Sequence, residues 1–199
     1  MSVAAPRAKA DATPRGRLIS AASELFCQHG INAVGVDAIV ESAGTAKTTL
    51  YKLFRSKECL VEAVLETEGA AWRDWFTRSV EAAAEAPRDR LLAIFPVLAR
   101  WFRQKRFYGC PFINAVAEHD KSSDRLRRLA LGHKQQVLAF IRRLCVEAGL
   151  PDPDAMTHEI AILIDGAIVA AMITRNPAVA DFAQNALERA LDTELEPSR

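Results

Sequence analysis

The chain has 199 residues, half of them hydrophobic, with nine prolines, four cysteines and a net charge of +1. That composition supports a real core and excludes wholesale disorder or an overall polycation. No unbroken apolar run approaches the roughly 18 to 20 residues of a membrane span, so no membrane partner is expected.

Residues 1–13 are small and polar, without the apolar centre of a signal peptide, and are expected to be a disordered arm. Cys27, Cys59, Cys110 and Cys145 show no metal-ligand spacing. Reduced thiols, a cytoplasmic location and no cofactor are the expectation. Charge is unevenly placed: residues 1–60 hold eight Lys or Arg against five Asp or Glu, net +3, which leaves −2 for the rest. A mildly basic end suits contact with a polyanion through that end.

From Pro14 to Gln28, Leu18, Ala21, Ala22, Leu25 and Phe26 recur at three- and four-residue steps, the stripe of a helix that Gly30 stops. Gly35 is placed to cap a second helix, with Asp37 in its first turn and Ile39 and Val40 pointing inward; Gly44 ends it. Thr45 is expected to cap a third helix, Lys47-Thr48-Thr49-Leu50-Tyr51-Lys52-Leu53-Phe54. Leu50, Leu53 and Phe54 have the spacing to anchor that helix on a core. Lys47, Thr48, Thr49, Tyr51 and Lys52 offer amines, hydroxyls and a phenol, groups that reach base edges and phosphates. Two short helices joined in this way form a helix-turn-helix of the DNA-reading kind. Lys57 opens a fourth helix running to about Glu85, its positive end placed for a backbone phosphate.

Arg88 to Arg106 reads as one amphipathic helix kinked at Pro96. Pro111 restarts the chain after Gly109-Cys110. Asp124 to Ala148, Asp154 to Arg175 and Pro177 to Leu195 complete about nine helices with no convincing strand, an all-α fold. On the last two, Ile160, Leu163, Ile164, Ala167, Ile168 and Ala171, with Phe182, Leu187 and Leu191, form apolar stripes flanked by small residues. Two such helices per subunit suit an intermolecular four-helix bundle, although the same stripes could serve an internal core. Asp165 among them reads as a satisfied partner rather than a catalytic acid.

The aromatic residues concentrate between Trp72 and Phe140. Trp72, Trp75, Phe76, Phe95, Trp101, Phe102, Phe112 and Phe140, with Cys110, Asn114 and Glu118, are candidates for an apolar pocket taking a small-molecule effector. His119 is a further polar candidate. Most aromatics at helical spacing are simply core. Cys110, just before Pro111, stands where a helix N-terminus lowers a thiol pKa, which opens a second possibility, an oxidant or electrophile sensor. A small enzyme is the rival of another class. It lacks an HExxH pair, a phosphate loop and a nucleophile elbow, and a metal at Glu118, His119 and Asp120 would need consecutive helical residues to converge.

Arg15 to Glu66 resembles the head of the TetR/AcrR group of transcriptional regulators. The residues that carry the resemblance are Ala21-Ala22, Leu25-Phe26, Gly30, Ile39, Ala43-Gly44, Thr49-Leu50-Tyr51, Phe54, Ser56-Lys57-Glu58 and Leu60. Gly109-Cys110-Pro111-Phe112-Ile113-Asn114 and Leu163-Ile164-Asp165-Gly166-Ala167 are similar to elements of one subgroup. Two departures stand out: Val34-Gly35 replaces a common threonine, and Ala46 replaces a common capping serine. The resemblance implies a DNA-binding domain over 14–60 and a ligand-binding and dimerisation domain over 61–199. It further implies a homodimer on double-stranded operator DNA, most simply a repressor released by an effector, with Tyr51 as a phosphate contact.

Overall fold

A computed structural model describes residues 12–118 and 124–195. Among them are ten helices and no strand: α1 (Pro14–His29), α2 (Val36–Ser42), α3 (Lys47–Phe54), α4 (Lys57–Glu81), α5 (Pro87–Leu92), α6 (Ile94–Phe102), α7 (Pro111–Glu118), α8 (Asp124–Glu147), α9 (Pro153–Thr174) and α10 (Val179–Leu195). The arm expected over 1–13 lies outside the described residues except for Ala12 and Thr13. Thr13 caps α1, its side chain accepting from Gly16 N at 3.1 Å.

The expected helix over Arg88 to Arg106 is two helices. The chain breaks at Ala93, and Pro96 becomes the third residue of α6, where its missing N–H has no partner to lose. The second of these helices stops at Phe102, short of Arg106.

Two compact units emerge. One holds the described residues up to Trp72 together with Cys110–His133. Here α1 packs on both α2 and α3, and a single core joins Leu18, Ala22, Phe26, Ile39, Leu50, Phe54, Leu60, Val64, Phe112, Ala115 and Leu126. Residues of α7 and early α8 therefore share the head's core.

The other unit comprises Arg73–Gly109 and the chain from Lys134 onward. In it α10 packs on α5, α6 and α9, and α9 also meets α6. Leu91, Ile94, Phe95, Leu98, Ile141, Leu144, Ile160, Leu187 and Leu191 have no solvent exposure. Gly109, at φ +83, is required twice over: the backbone is left-handed, and a Cβ would sit 2.5 Å from the Met172 sulfur.

The apolar character of α9 has a structural explanation. Scanning for an unbroken apolar run stops at Asp165, yet α9 as a whole is long and apolar enough to cross a membrane. Its composition has another cause. One side, Met156, Ile160, Ile164, Ala167, Ile168 and Ala171, is buried in the chain's own core. A second stripe, Ile162, Gly166, Val169 and Ile173, follows the same helical period two residues out of phase. Asp165 is satisfied by an ion pair with Lys134.

Cys145 is fully buried and receives the Thr157 hydroxyl at 3.8 Å. Burial pushes its thiol pKa up, against a smaller lowering by that hydrogen bond. A raised pKa means less thiolate at any given pH. Alkylation by iodoacetamide at pH 8 should therefore be at least about tenfold slower at Cys145 than at half-buried Cys59. Equal rates would contradict the burial.

Candidate nucleic-acid interface

An eight-residue helix is marginal alone, so α3 exists because the unit buries its inner face. Leu50 is fully buried and Phe54 nearly so, each contributing about 1.5–3 kcal/mol relative to exposure. Leu53, expected to join them, is 41 % exposed instead. At 100° per residue, Leu50 and Phe54 define the inner direction and Leu53 falls on the flank. Lys47, Thr48 and Lys52 are exposed, Tyr51 is 44 % exposed and Thr49 is half-buried. The expected hydrogen-bonding surface of α3 is thus presented outward.

The cap is not where the sequence reading puts it. Ala46 has the extended conformation of an N-cap, without a side-chain bond, and Thr45 lies one residue outside the helix. The Thr45 hydroxyl is buried with no hydrogen-bond partner. Ala46 O accepts from Thr49 N at 2.9 Å and Leu50 N at 3.3 Å, but no side chain caps the first-turn amides of α3. Gly35 does cap α2 by its backbone conformation, with Asp37 in the first turn as expected.

Two of the expected DNA-contacting lysines are already engaged. Lys47 Nζ lies 2.9 Å from an Asp37 carboxylate oxygen, an exposed pair across the turn. The Asp37 hydrogen bond, and then its charge, raise the Lys47 pKa. Lys57 donates to Ile31 O at 2.6 Å and stands 6.0 Å from the Phe26 ring centroid. One of its three ammonium donors is therefore spent within the chain. This contact spans 26 residues, and nothing local in the sequence announces it.

Other cations border α3 that the motif did not single out. The Arg15 guanidinium lies over the Phe54 ring at 5.4 Å, and Arg17 Nε donates to Ala43 O at 3.1 Å, closing the end of α2. Arg55 ends α3 in a left-handed conformation, φ +66. The excess of Arg and Lys in residues 1–60 is the only sequence signal for them.

The pocket candidates divide between the units. Trp75, Phe76, Phe95, Phe102 and Phe140 are buried core, with Phe76 and Phe140 edge-to-face at 5.8 Å and half-buried Trp101 edge-to-face on Phe107 at 5.0 Å. Trp72, Phe112 and His133 cluster in the head's unit. Cys110 stands at the N-terminal boundary of α7, its carbonyl accepting from Asn114 N at 3.1 Å. Asn114 and Glu118 line a recess with Ser23, Phe26, Cys27 and Glu68. None of the expected aromatics lines that recess. His119 and Asp120 lie outside the described residues. Among the described residues, no three His, Cys, Asp or Glu side chains are grouped to hold a metal.

The expected bundle stripe is divided between buried and exposed residues. Ile160, Ile164, Ala167, Ile168, Ala171, Leu187 and Leu191 are buried within the chain itself. Leu163 is half-buried, and Phe182 is 73 % exposed. The open apolar surface is the out-of-phase stripe, with Ile162 and Ile173 both over 70 % exposed, together with Phe182 on α10.

Comparison with known proteins agrees with this arrangement. The family model "Bacterial regulatory proteins, tetR family" matches residues 18–64, and "Tetracyclin repressor-like, C-terminal domain" matches 87–187. The HTH-type transcriptional repressor NemR of Escherichia coli is 29% identical over 114 residues, 57% of each chain. The HTH-type transcriptional activator FasR of Mycolicibacterium smegmatis is 48% identical over 52 residues, 26% of this chain and 24% of FasR. The chain thus spans little more than half of NemR and a quarter of FasR. The crystal structure of SCO4454, a TetR-family transcriptional regulator from Streptomyces coelicolor, superposes with TM-score 0.83 at 28% identity, covering 92% of this chain and 96% of that one. The head that exposes α3 and the helical remainder are both matched, and the chain belongs to the TetR family of bacterial transcriptional regulators.

Proposed function

We propose that this regulator is a cytoplasmic repressor that binds a near-palindromic operator as a homodimer and is released by a small-molecule effector. The observation that carries the reading is the outward face of α3, where Thr48, Tyr51 and Lys52 stand clear of the core that fixes Leu50 and Phe54. Lysine reads guanine acceptors, and threonine methyls pack on thymine methyl groups. The uncapped amides at the start of α3 suit a phosphate oxygen. Repression is the sign described for NemR, whose match extends beyond the head; the FasR match is confined to about 52 residues. The Gly109-Cys110-Pro111-Phe112-Ile113-Asn114 segment supports placement in the subgroup that shares it.

One head buries too little surface for a tight site, so a second copy is needed. The stripe of Ile162, Gly166, Val169 and Ile173 with Phe182 is the face that this copy covers. Gly166 and Ala170 let a partner helix approach closely. Effector release then amounts to a change in the separation of two heads that must match half-sites about one duplex turn apart or more.

Salt dependence tests the DNA face. The logarithm of affinity should fall linearly with that of salt. Lys52→Ala should flatten the slope by about one unit per subunit. Lys47→Ala should flatten it less, because Asp37 already compensates its charge. Equal slopes for wild type and Lys52→Ala would remove Lys52 from the interface.

The dimer face has its own test. Replacing Ile162 and Ile173 together by Asp should weaken self-association by roughly 30-fold or more while the thermal midpoint of the separated subunit stays close to its starting value. Sedimentation showing an intact dimer at micromolar concentration would exclude this face.

A further inference from the structure

The turn between α1 and α2 is tied to the end of α7 by contacts that the DNA-reading face does not use. Glu118, the last residue of α7, lies 87 positions from Ile31. Its Oε2 accepts Ile31 N at 2.7 Å and Asn32 N at 3.2 Å. Asn32 Nδ2 returns a bond to Glu118 O at 2.7 Å. Lys57, on α4, holds Ile31 O at 2.6 Å. The donor and acceptor of Ile31 are thus taken by side chains from two different helices.

Gly30 makes the approach possible. It has φ +83, and a Cβ there would lie 3.0 Å from Glu118 Oε2. Hydrogen bonds from backbone amides to a carboxylate are roughly twice as strong as neutral ones. Ile31 and Val34 are buried in the head's core, so the turn cannot shift without moving the start of α2, and α2 packs on α3. At the other end of α7, the Phe112 ring stacks on His133 at 4.0 Å, and Trp72 lies 5.9 Å from the same imidazole. A short helix is thereby fixed by aromatic rings at one end and by a carboxylate clamp on the head at the other.

We propose that Glu118 is a positioning residue for DNA recognition: its carboxylate holds the Gly30–Asn32 turn and so sets α2 and α3, and any displacement of α7 weakens the operator complex without touching a DNA contact. The inference rests on the DNA-binding reading above. It gives Glu118, which also lines the recess beside Asn114, a role in the output of the switch.

The test uses full-length Glu118→Ala and Glu118→Gln, and a duplex that the wild-type protein has selected from a random pool. Glu118→Ala should keep its helix content, lose at least about tenfold in operator affinity at an unchanged salt slope, and show faster amide exchange at Ile31, Asn32 and in α2–α3. Glu118→Gln retains an acceptor oxygen and should fall between; it carries the test alone if the alanine variant does not fold. Wild-type operator affinity in a folded variant whose Ile31 and Asn32 amides exchange faster would overturn the proposal, because the clamp would then be structural only. If the wild type selects no duplex, the DNA-binding reading fails separately. Exchange then decides the clamp: faster exchange in α2–α3 of Glu118→Ala supports it, and unchanged exchange there overturns it.

Discussion

Burial of Leu50 and Phe54 is the constraint on which the head depends. Those two side chains turn a helix too short to persist alone into a fixed surface, and they decide by geometry which residues of α3 face outward. Leu18, Ala22, Ile39, Leu60 and Val64 supply the other half of that contact. Phe112, Ala115 and Leu126 join it from α7 and α8, so the head's core is completed by residues far along the chain. A DNA-reading element built on a shared core is sensitive to whatever moves the distant contributors.

The same principle separates the two faces of α9. One helix carries two apolar stripes, one phase apart from the other by two residues. Ile160, Ile164 and Ala171 close the chain's own core, while Ile162 and Ile173 remain open. The strong overall apolarity of α9 follows from carrying both stripes, with Asp165 between them paired to Lys134. A buried stripe and an open one are therefore encoded in the same twenty-two residues.

What could be read in the sequence was local. Pro14 at a helix start, Gly30, Gly35 and Gly44 at turns, and the three- and four-residue spacing of Leu18 to Phe26 are short-range signals, and the structure places helix boundaries within a residue or two of them. What could not be read depended on partners far away. Thr45 and Ala46 are adjacent, and Ala46, which has no hydroxyl to offer, takes the extended cap conformation. The bond from Lys57 to Ile31 O spans 26 residues and has no local signal. Glu118 lines a recess, as a pocket candidate should, but its bonds to two amides 86 and 87 positions away have no local sequence signal. Choosing between two stripes on α9 likewise requires knowing which side faces α6 and α10.

The proposed dimer, presenting two copies of α3, makes a demand on DNA that can be measured without knowing any effector or target gene. Selection of duplexes from a random pool by the full-length protein, followed by sequencing, examines it directly. The expected result is enrichment of one near-palindromic sequence whose half-sites are centred about one helical turn apart or somewhat more. A pool that stays unenriched, or a selected sequence without two-fold symmetry, would contradict the assignment of α3 as the operator-reading helix of a dimer.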